Sequence, residues 1–176
     1  MITTLETERL ILRKPDHRDL DAFIAFYGSE RARYVGGPED PAKAWRRFAC
    51  VVGHWDLHGF GMFAVQPKTS TQAVGSIGGW YPGGWPEQEI GWLIWSEAVE
   101  GTGIAYEAAK VVQAHVFHDL GWANAVSYID PANARSCALA ERLGAQLDPD
   151  ARAPHDMGPD ECLVYRHPKP ERGVWA

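Results

Sequence analysis

Glu89-Ile90-Gly91-Trp92, followed after a short connection by Gly101-Thr102-Gly103-Ile104-Ala105-Tyr106-Glu107-Ala108, is the stretch whose reading decides the fold. The first part reads as a buried strand. The second reads as a glycine turn opening a helix, because Ile104, Ala105, Ala108, Ala109, Val112, Val116 and Leu120 recur at helical spacing. Glycines before a helix let a ligand approach the backbone, and the N–H groups of the first turn have no helical partner. With the positive end of the helix, such donors suit a phosphate or diphosphate. An ordinary strand-to-helix turn accounts for these residues equally well. A Rossmann fingerprint is excluded because Tyr106 stands where the third glycine belongs. A P-loop is excluded because no Gly-Lys-Ser/Thr follows.

Outward from this unit, Phe60–Gln66, Ala73–Trp80 and Glu87–Trp95 are expected to form an antiparallel meander, joined by polar or Gly/Pro-rich segments. The long helix over Gly103–Leu120 leads to a strand over Ala125–Ile129. A helix over Asn133–Leu143, stopped by Gly144, and a last strand over Glu161–Tyr165 follow. Upstream, Thr7–Arg13 is a short strand and Asp16–Tyr27 a helix. Asp40 caps another helix, with Pro41 at its first position and Trp45, Phe48, Val51, Val52 and Trp55 on one broad face. The sum is an α+β single domain over residues 1–167, with 168–176 as a loose tail. Its mixed, mostly antiparallel sheet carries helices on both faces. Strands 87–95 and 125–129 are parallel neighbours through a helical crossover, which sets the glycine turn at the carboxyl end of its strand.

The 176 residues suffice for one well-buried core, and 23% charged residues with 45% hydrophobic ones fit a soluble globular chain. A net charge of -6 argues against a non-specific nucleic-acid binder. Cys50, Cys137 and Cys162 form neither a disulfide framework nor a zinc pattern and are expected to be buried thiols. The pairs His54/His58 and His115/His118 lack a third ligand, so no metal is expected. With no targeting or membrane-spanning pattern, a cytoplasmic location and no membrane partner are expected.

The ordered set of motifs resembles the GNAT superfamily of acetyl-CoA-dependent N-acetyltransferases, especially the branch of ribosomal-protein N-terminal acetyltransferases. The set comprises Thr7-Glu8-Arg9-Leu10-Ile11-Leu12-Arg13, Val74-Gly75-Ser76-Ile77-Gly78, Glu89-Ile90-Gly91-Trp92, the 101–108 turn, Asn133-Ala134-Arg135-Ser136 and Leu143-Gly144. The resemblance implies a GNAT-like fold with a splayed parallel strand pair and acetyl-CoA as donor co-substrate. It assigns the diphosphate to Glu100, Gly101, Thr102, Gly103, Ile104 and Ala105. Pairing with the pantetheine arm falls to Leu93, Ile94 and Trp95, with Asn133 and Ser136 beside the arm and thiol. Family members commonly carry Arg or Lys between the two glycines and Arg or Gln three residues before the first; this chain has Thr102 and Ala98. Charge-assisted contacts from those positions are therefore missing. Ala145 follows Gly144, where the family commonly has an aromatic.

Acyl transfer to an amine needs a proton acceptor, because a primary amine with a pKa of about 10 is mostly charged at neutral pH. Glu89 is the candidate acceptor, with pairing to an arginine at the sheet surface as its ordinary alternative. Ser136 is the candidate hydrogen-bond donor to the leaving thiol and Tyr128 its rival; helix capping and core packing are their ordinary roles. Glu107 reads as support for the helix dipole. Trp80, Tyr81 and Trp92, with Trp85 and Trp95 nearby, would wall the acceptor side, although half or more of the tryptophans fit simple packing. The function expected is acetyl transfer to a peptide N-terminus or small amine by direct attack. A non-catalytic acyl-CoA-binding or sensor module is the alternative, and a homodimer is compatible with either.

Overall fold

The computed structural model describes residues 2–154 and 161–171. Among them an eight-stranded sheet runs in the order β1-β2-β3-β4-β5-β6-β8-β7. The strands are β1 (Thr4–Glu6), β2 (Leu10–Arg13), β3 (Met62–Pro67), β4 (Gly75–Trp80), β5 (Glu89–Ile94), β6 (Val126–Ile129), β7 (Gln146–Leu147) and β8 (Leu163–Arg166). The helices are α1 (Leu20–Tyr27), α2 (Pro41–His58), α3 (Ile104–His118) and α4 (Ala134–Arg142). Every strand pair is antiparallel except β5–β6. No helix of the described residues is long and apolar enough to cross a membrane.

Alternation along the strands explains the two faces. Phe63 and Val65 of β3, Ile77 of β4 and Ile90 of β5 pack with Ala108, Ala109, Val112 and Val116 of α3. The intervening Met62 and Ala64 join Trp95, Phe23, Phe26, Tyr27, Phe48 and Val51 on the other face. Residues one apart on a strand point to opposite sides, so a single strand serves both cores. Each fully buried large aliphatic side chain, Ile77 and Ile90 among them, contributes about 1.5–3 kcal/mol of burial. The glycines of β4 permit close approach: a Cβ on Gly78 would lie 2.3 Å from the Gly61 carbonyl oxygen.

The expected meander, crossover and α2 are present, and Asp40 caps α2 by accepting from the Lys43 N–H. On α2, Ala44, Phe48, Val51, His54 and Trp55 face inward, while Trp45 is exposed. The segment expected as one helix over 16–27 splits into a 3-10 turn, His17–Asp19, and α1. Strands β1 and β7 were not expected; both are edge pieces of two or three residues, too short to show a period. Cys162 is buried as expected, but Cys137 is half-buried and Cys50 is exposed on α2, since helical propensity alone does not say which face a residue takes. Of the tail, the carbonyls of Pro168 and Pro170 accept from Gln113 and His118 of α3. Residues 172–176 lie outside the described residues, as do 155–160 of the connection before β8.

Candidate active site

The parallel pair β5–β6 is in register at Glu89↔Val126 and then diverges. Where the next rung would fall, Ser127 Oγ donates to the Ile90 carbonyl at 2.6 Å. His167 Nε2 lies 2.9 Å from the same hydroxyl, and its Nδ1 faces the Gln113 amide at 3.4 Å. Since the hydroxyl proton is committed to Ile90, the imidazole donates from Nε2 and accepts at Nδ1. Burial holds this histidine neutral, pushing its pKa down to about 4. A side-chain bridge therefore satisfies the strand where the sheet opens.

Beyond Ile90 the alternation of the ladder decides which groups face the gap. The Trp95 N–H donates to Val74 of the β4 side at 2.8 Å, so Leu93 and Trp95 direct their main-chain groups to β4. Trp92 and Ile94 direct theirs into the gap. Of the three residues expected to pair with a pantetheine arm, Ile94 has its main-chain groups toward the gap, as Trp92 does, whereas Leu93 and Trp95 direct theirs to β4. Strand parity, visible only once the β4 register is known, carries that information.

At the far end of β5 the chain turns through Gly101 at φ +74 and Gly103 at φ +83, conformations that glycine adopts without strain. Nothing lies within 4 Å of where a Cβ on Gly101 would stand, so the outer side of the turn is open. The first helical bond of α3 runs from Glu107 N–H to Gly103, and no side chain caps the helix. The Ile104, Ala105 and Tyr106 N–H groups therefore precede the helical ladder. This geometry fits a diphosphate. Glu107 braces the turn: it accepts from Thr7 Oγ1 at 2.5 Å and from Arg9 Nε at 2.6 Å, while Arg9 Nη1 donates to the Thr102 carbonyl at 3.1 Å. Burial alone would raise the Glu107 pKa; these bonds from the β1–β2 turn outweigh it and hold the group ionised. Support for the turn thus comes from residues almost 100 positions away, which no local pattern could disclose.

Asn133 caps α4, its side-chain oxygen accepting from the Ser136 N–H at 3.2 Å. Ser136 Oγ accepts from the Trp92 indole at 3.1 Å, which leaves its hydroxyl proton available to another acceptor. Trp92 packs with the α3-face core and meets His167 edge-on at 6.3 Å. It does not stand beside Trp80, which belongs to the opposite face. Period-two alternation separates the two, although sequence proximity had grouped them.

Glu89 opens β5 on the α1/α2 face, opposite Trp80 across the ladder. Its carboxylate accepts from the Trp85 indole at 2.7 Å. Enclosure by protein raises its pKa to about 7, against the opposing pull of the Trp85 indole and the Tyr128 main-chain N–H. Tyr128 is a poor proton source: burial drives its pKa up, and its hydroxyl accepts from the Glu87 N–H at 3.2 Å. Trp85 also borders a cavity of about 760 Å³ between the β4–β5 connection and β7–β8, with Pro86, Leu147, Asp148, Arg152 and Leu163 on its walls.

His54, whose spacing from His58 was set aside as an incomplete metal pair, anchors a loop. Its Nε2 accepts from the Tyr81 N–H at 3.0 Å and its Nδ1 donates to the Phe60 carbonyl at 2.9 Å. Its ring stacks on Trp80 at 4.5 Å and on His58 at 4.4 Å. Burial lowers its pKa and keeps it the neutral pin at the start of the connection holding Tyr81 and Trp85. Among the described residues no group of three His, Cys, Asp or Glu side chains is placed to hold a metal.

The acetyltransferase (GNAT) domain family matches residues 9–146. An acetyltransferase structure from Agrobacterium tumefaciens is 38% identical, with 95% of each chain covered and a TM-score of 0.87. A GNAT-family acetyltransferase from Bacillus anthracis shares the fold at 19% identity, with 93% of this chain and 96% of that chain covered and a TM-score of 0.71. So does a ribosomal-protein-S5-alanine acetyltransferase from Vibrio fischeri, at 14% identity, 99% and 100% coverage and a TM-score of 0.71. No curated protein matches the chain.

Proposed function

The chain belongs to the GNAT acetyltransferase family, and on that premise we propose that it transfers an acetyl group from acetyl-CoA to a primary amine by direct attack. The reading rests on one observation: a strand gap with the glycine turn at its mouth has a half-buried glutamate, Glu89, bonded to the Trp85 indole at its root. Acetyl-CoA supplies an activated thioester carbonyl. The chain's part is to bind, orient and move protons. The Ile104, Ala105 and Tyr106 N–H groups hold the diphosphate. The Trp92 and Ile94 main chain receives the pantetheine arm as an added strand and offers an N–H to the developing oxyanion. Glu89 takes the proton of the attacking amine, its pKa of about 7 matching the working pH. Ser136, fixed by Trp92, donates to the departing sulfur.

The acceptor is a peptide N-terminus or small amine entering past Trp85 from the adjoining cavity. A purely binding module has no use for a carboxylate that titrates near neutrality beside the gap, which favours the catalytic reading over the acyl-CoA sensor. Isothermal titration with acetyl-CoA, CoA and ATP, followed by an amine screen with acetyl transfer read by mass spectrometry, tests the proposal. Acetyl-CoA and CoA should share one site that ATP does not fill, and at least one amine should be acetylated. Absence of acetyl-CoA binding would refute it.

A further inference from the structure

The charge missing at Ala98 and Thr102 is present elsewhere at the mouth of the gap. Arg31, in the 3-10 turn Glu30–Val35, donates through Nη2 to the Ile94 carbonyl at 3.0 Å. That carbonyl is one of the main-chain groups directed into the gap. Arg31 Nη1 pairs with Glu100 at 2.7 Å, and the other oxygen of Glu100 meets Arg135 of α4 at 2.5 Å. The ion-pair chain Arg31–Glu100–Arg135 thus runs from the end of β5 to the first turn of α4. It crosses the side of the gap from which a donor must enter.

The two halves of this chain differ in strength. Arg31 is 28% exposed and bonded to a carbonyl, and its buried Nε has no acceptor. Arg135 is 83% exposed and has a single carboxylate partner, a geometry that contributes little. A phosphate offers the same guanidinium a doubly hydrogen-bonded, more highly charged partner. Glu100 keeps Arg31 when Arg135 leaves, so no carboxylate is stranded.

Resting on the acetyl-CoA reading, we propose that Glu100 is an internal anion that holds Arg135 across the mouth of the gap in the free protein. Donor binding transfers Arg135 from Glu100 to a ligand phosphate. The contact supplies from α4 the cation that the glycine turn lacks, and it sets a competition between carboxylate and phosphate for one arginine. Glu100 therefore weakens phosphate binding while keeping the empty site ordered.

The test is isothermal titration of CoA and of phosphate-free S-acetylpantetheine into wild type, Glu100→Gln, Arg135→Gln and the double variant, at low and high salt. Arg135→Gln should weaken CoA about tenfold at low salt and leave S-acetylpantetheine unchanged. Glu100→Gln should tighten CoA by roughly threefold, and that gain should vanish in the double variant. Unchanged CoA affinity in Arg135→Gln, or equal losses for both ligands, would overturn the transfer while leaving the donor site standing. Failure of wild type to bind CoA would overturn the inference together with the reading beneath it.

Discussion

From Glu100 to Ala105 the chain offers a ligand main-chain groups, held by two glycines at positive φ and the open end of α3. From Tyr81 to Glu89 it offers side chains, the Trp85 indole and the Glu89 carboxylate, on a connection whose Tyr81 N–H is pinned by His54. Both regions border the gap between β5 and β6. A site made of backbone needs only a few residue types in a fixed order, whereas a site made of side chains depends on which faces of several elements meet. On the proposed reading the first region is the donor side and the second the acceptor side.

The largest expected effect separates the two regions most cleanly. Glu89→Gln should lower kcat by roughly 10²–10⁴-fold and leave the acetyl-CoA Kd unchanged in titration. Because burial raises this carboxyl's pKa to about 7, its ionisation in the folded protein destabilises as pH rises through 7. The same variant should therefore melt higher than wild type above pH 7. Loss of donor binding in Glu89→Gln would merge the two regions into one structural unit.

Gly103→Ala probes the donor side alone. At φ +83 an L side chain adds about 1–2 kcal/mol of strain, so acetyl-CoA should bind about tenfold more weakly while kcat at saturation is retained. Ser136→Ala lies between the regions and, by losing one hydrogen bond to the departing thiolate, should slow turnover by about tenfold without altering the donor Kd.

Two histidines test the framework on which both regions rest. Neutral, buried His167 has a pKa near 4, below the ordinary value of about 6.5, so the unfolded chain takes up a proton there first. Stability should be full above pH 6.5 and fall by roughly 3 kcal/mol as pH drops to 4. His167→Gln should flatten that slope in thermal melts. His54→Gln should loosen Tyr81 and raise the acceptor KM by about threefold, with donor affinity unmoved; a shift in donor affinity instead would show that His54 serves the whole sheet.

The same contrast governs what could be read before the structure. The Glu89–Ala108 stretch announced strand, turn and helix because glycine placement and helical period are local. The cap on α4 was legible at Asn133 for the same reason. The orientation of Leu93, Trp95 and Trp92 was not, since it depends on the β4–β5 register. The brace from Arg9 to Glu107 and the bridge from His167 to Ser127 join residues tens of positions apart, and no period marks them. His54 was weighed only as a metal ligand and set aside for want of a third, while its role is set by Phe60 and Tyr81, which fold back onto it.

The most direct test of the central claim is the pH dependence of kcat/KM for acetyl transfer from pH 5.5 to 9, with the best amine found in the screen. Wild type should gain activity through an apparent pKa near 7 as Glu89 ionises. Glu89→Gln should lose that limb while binding acetyl-CoA normally. An unchanged limb in Glu89→Gln would contradict the account and move the proton acceptor elsewhere.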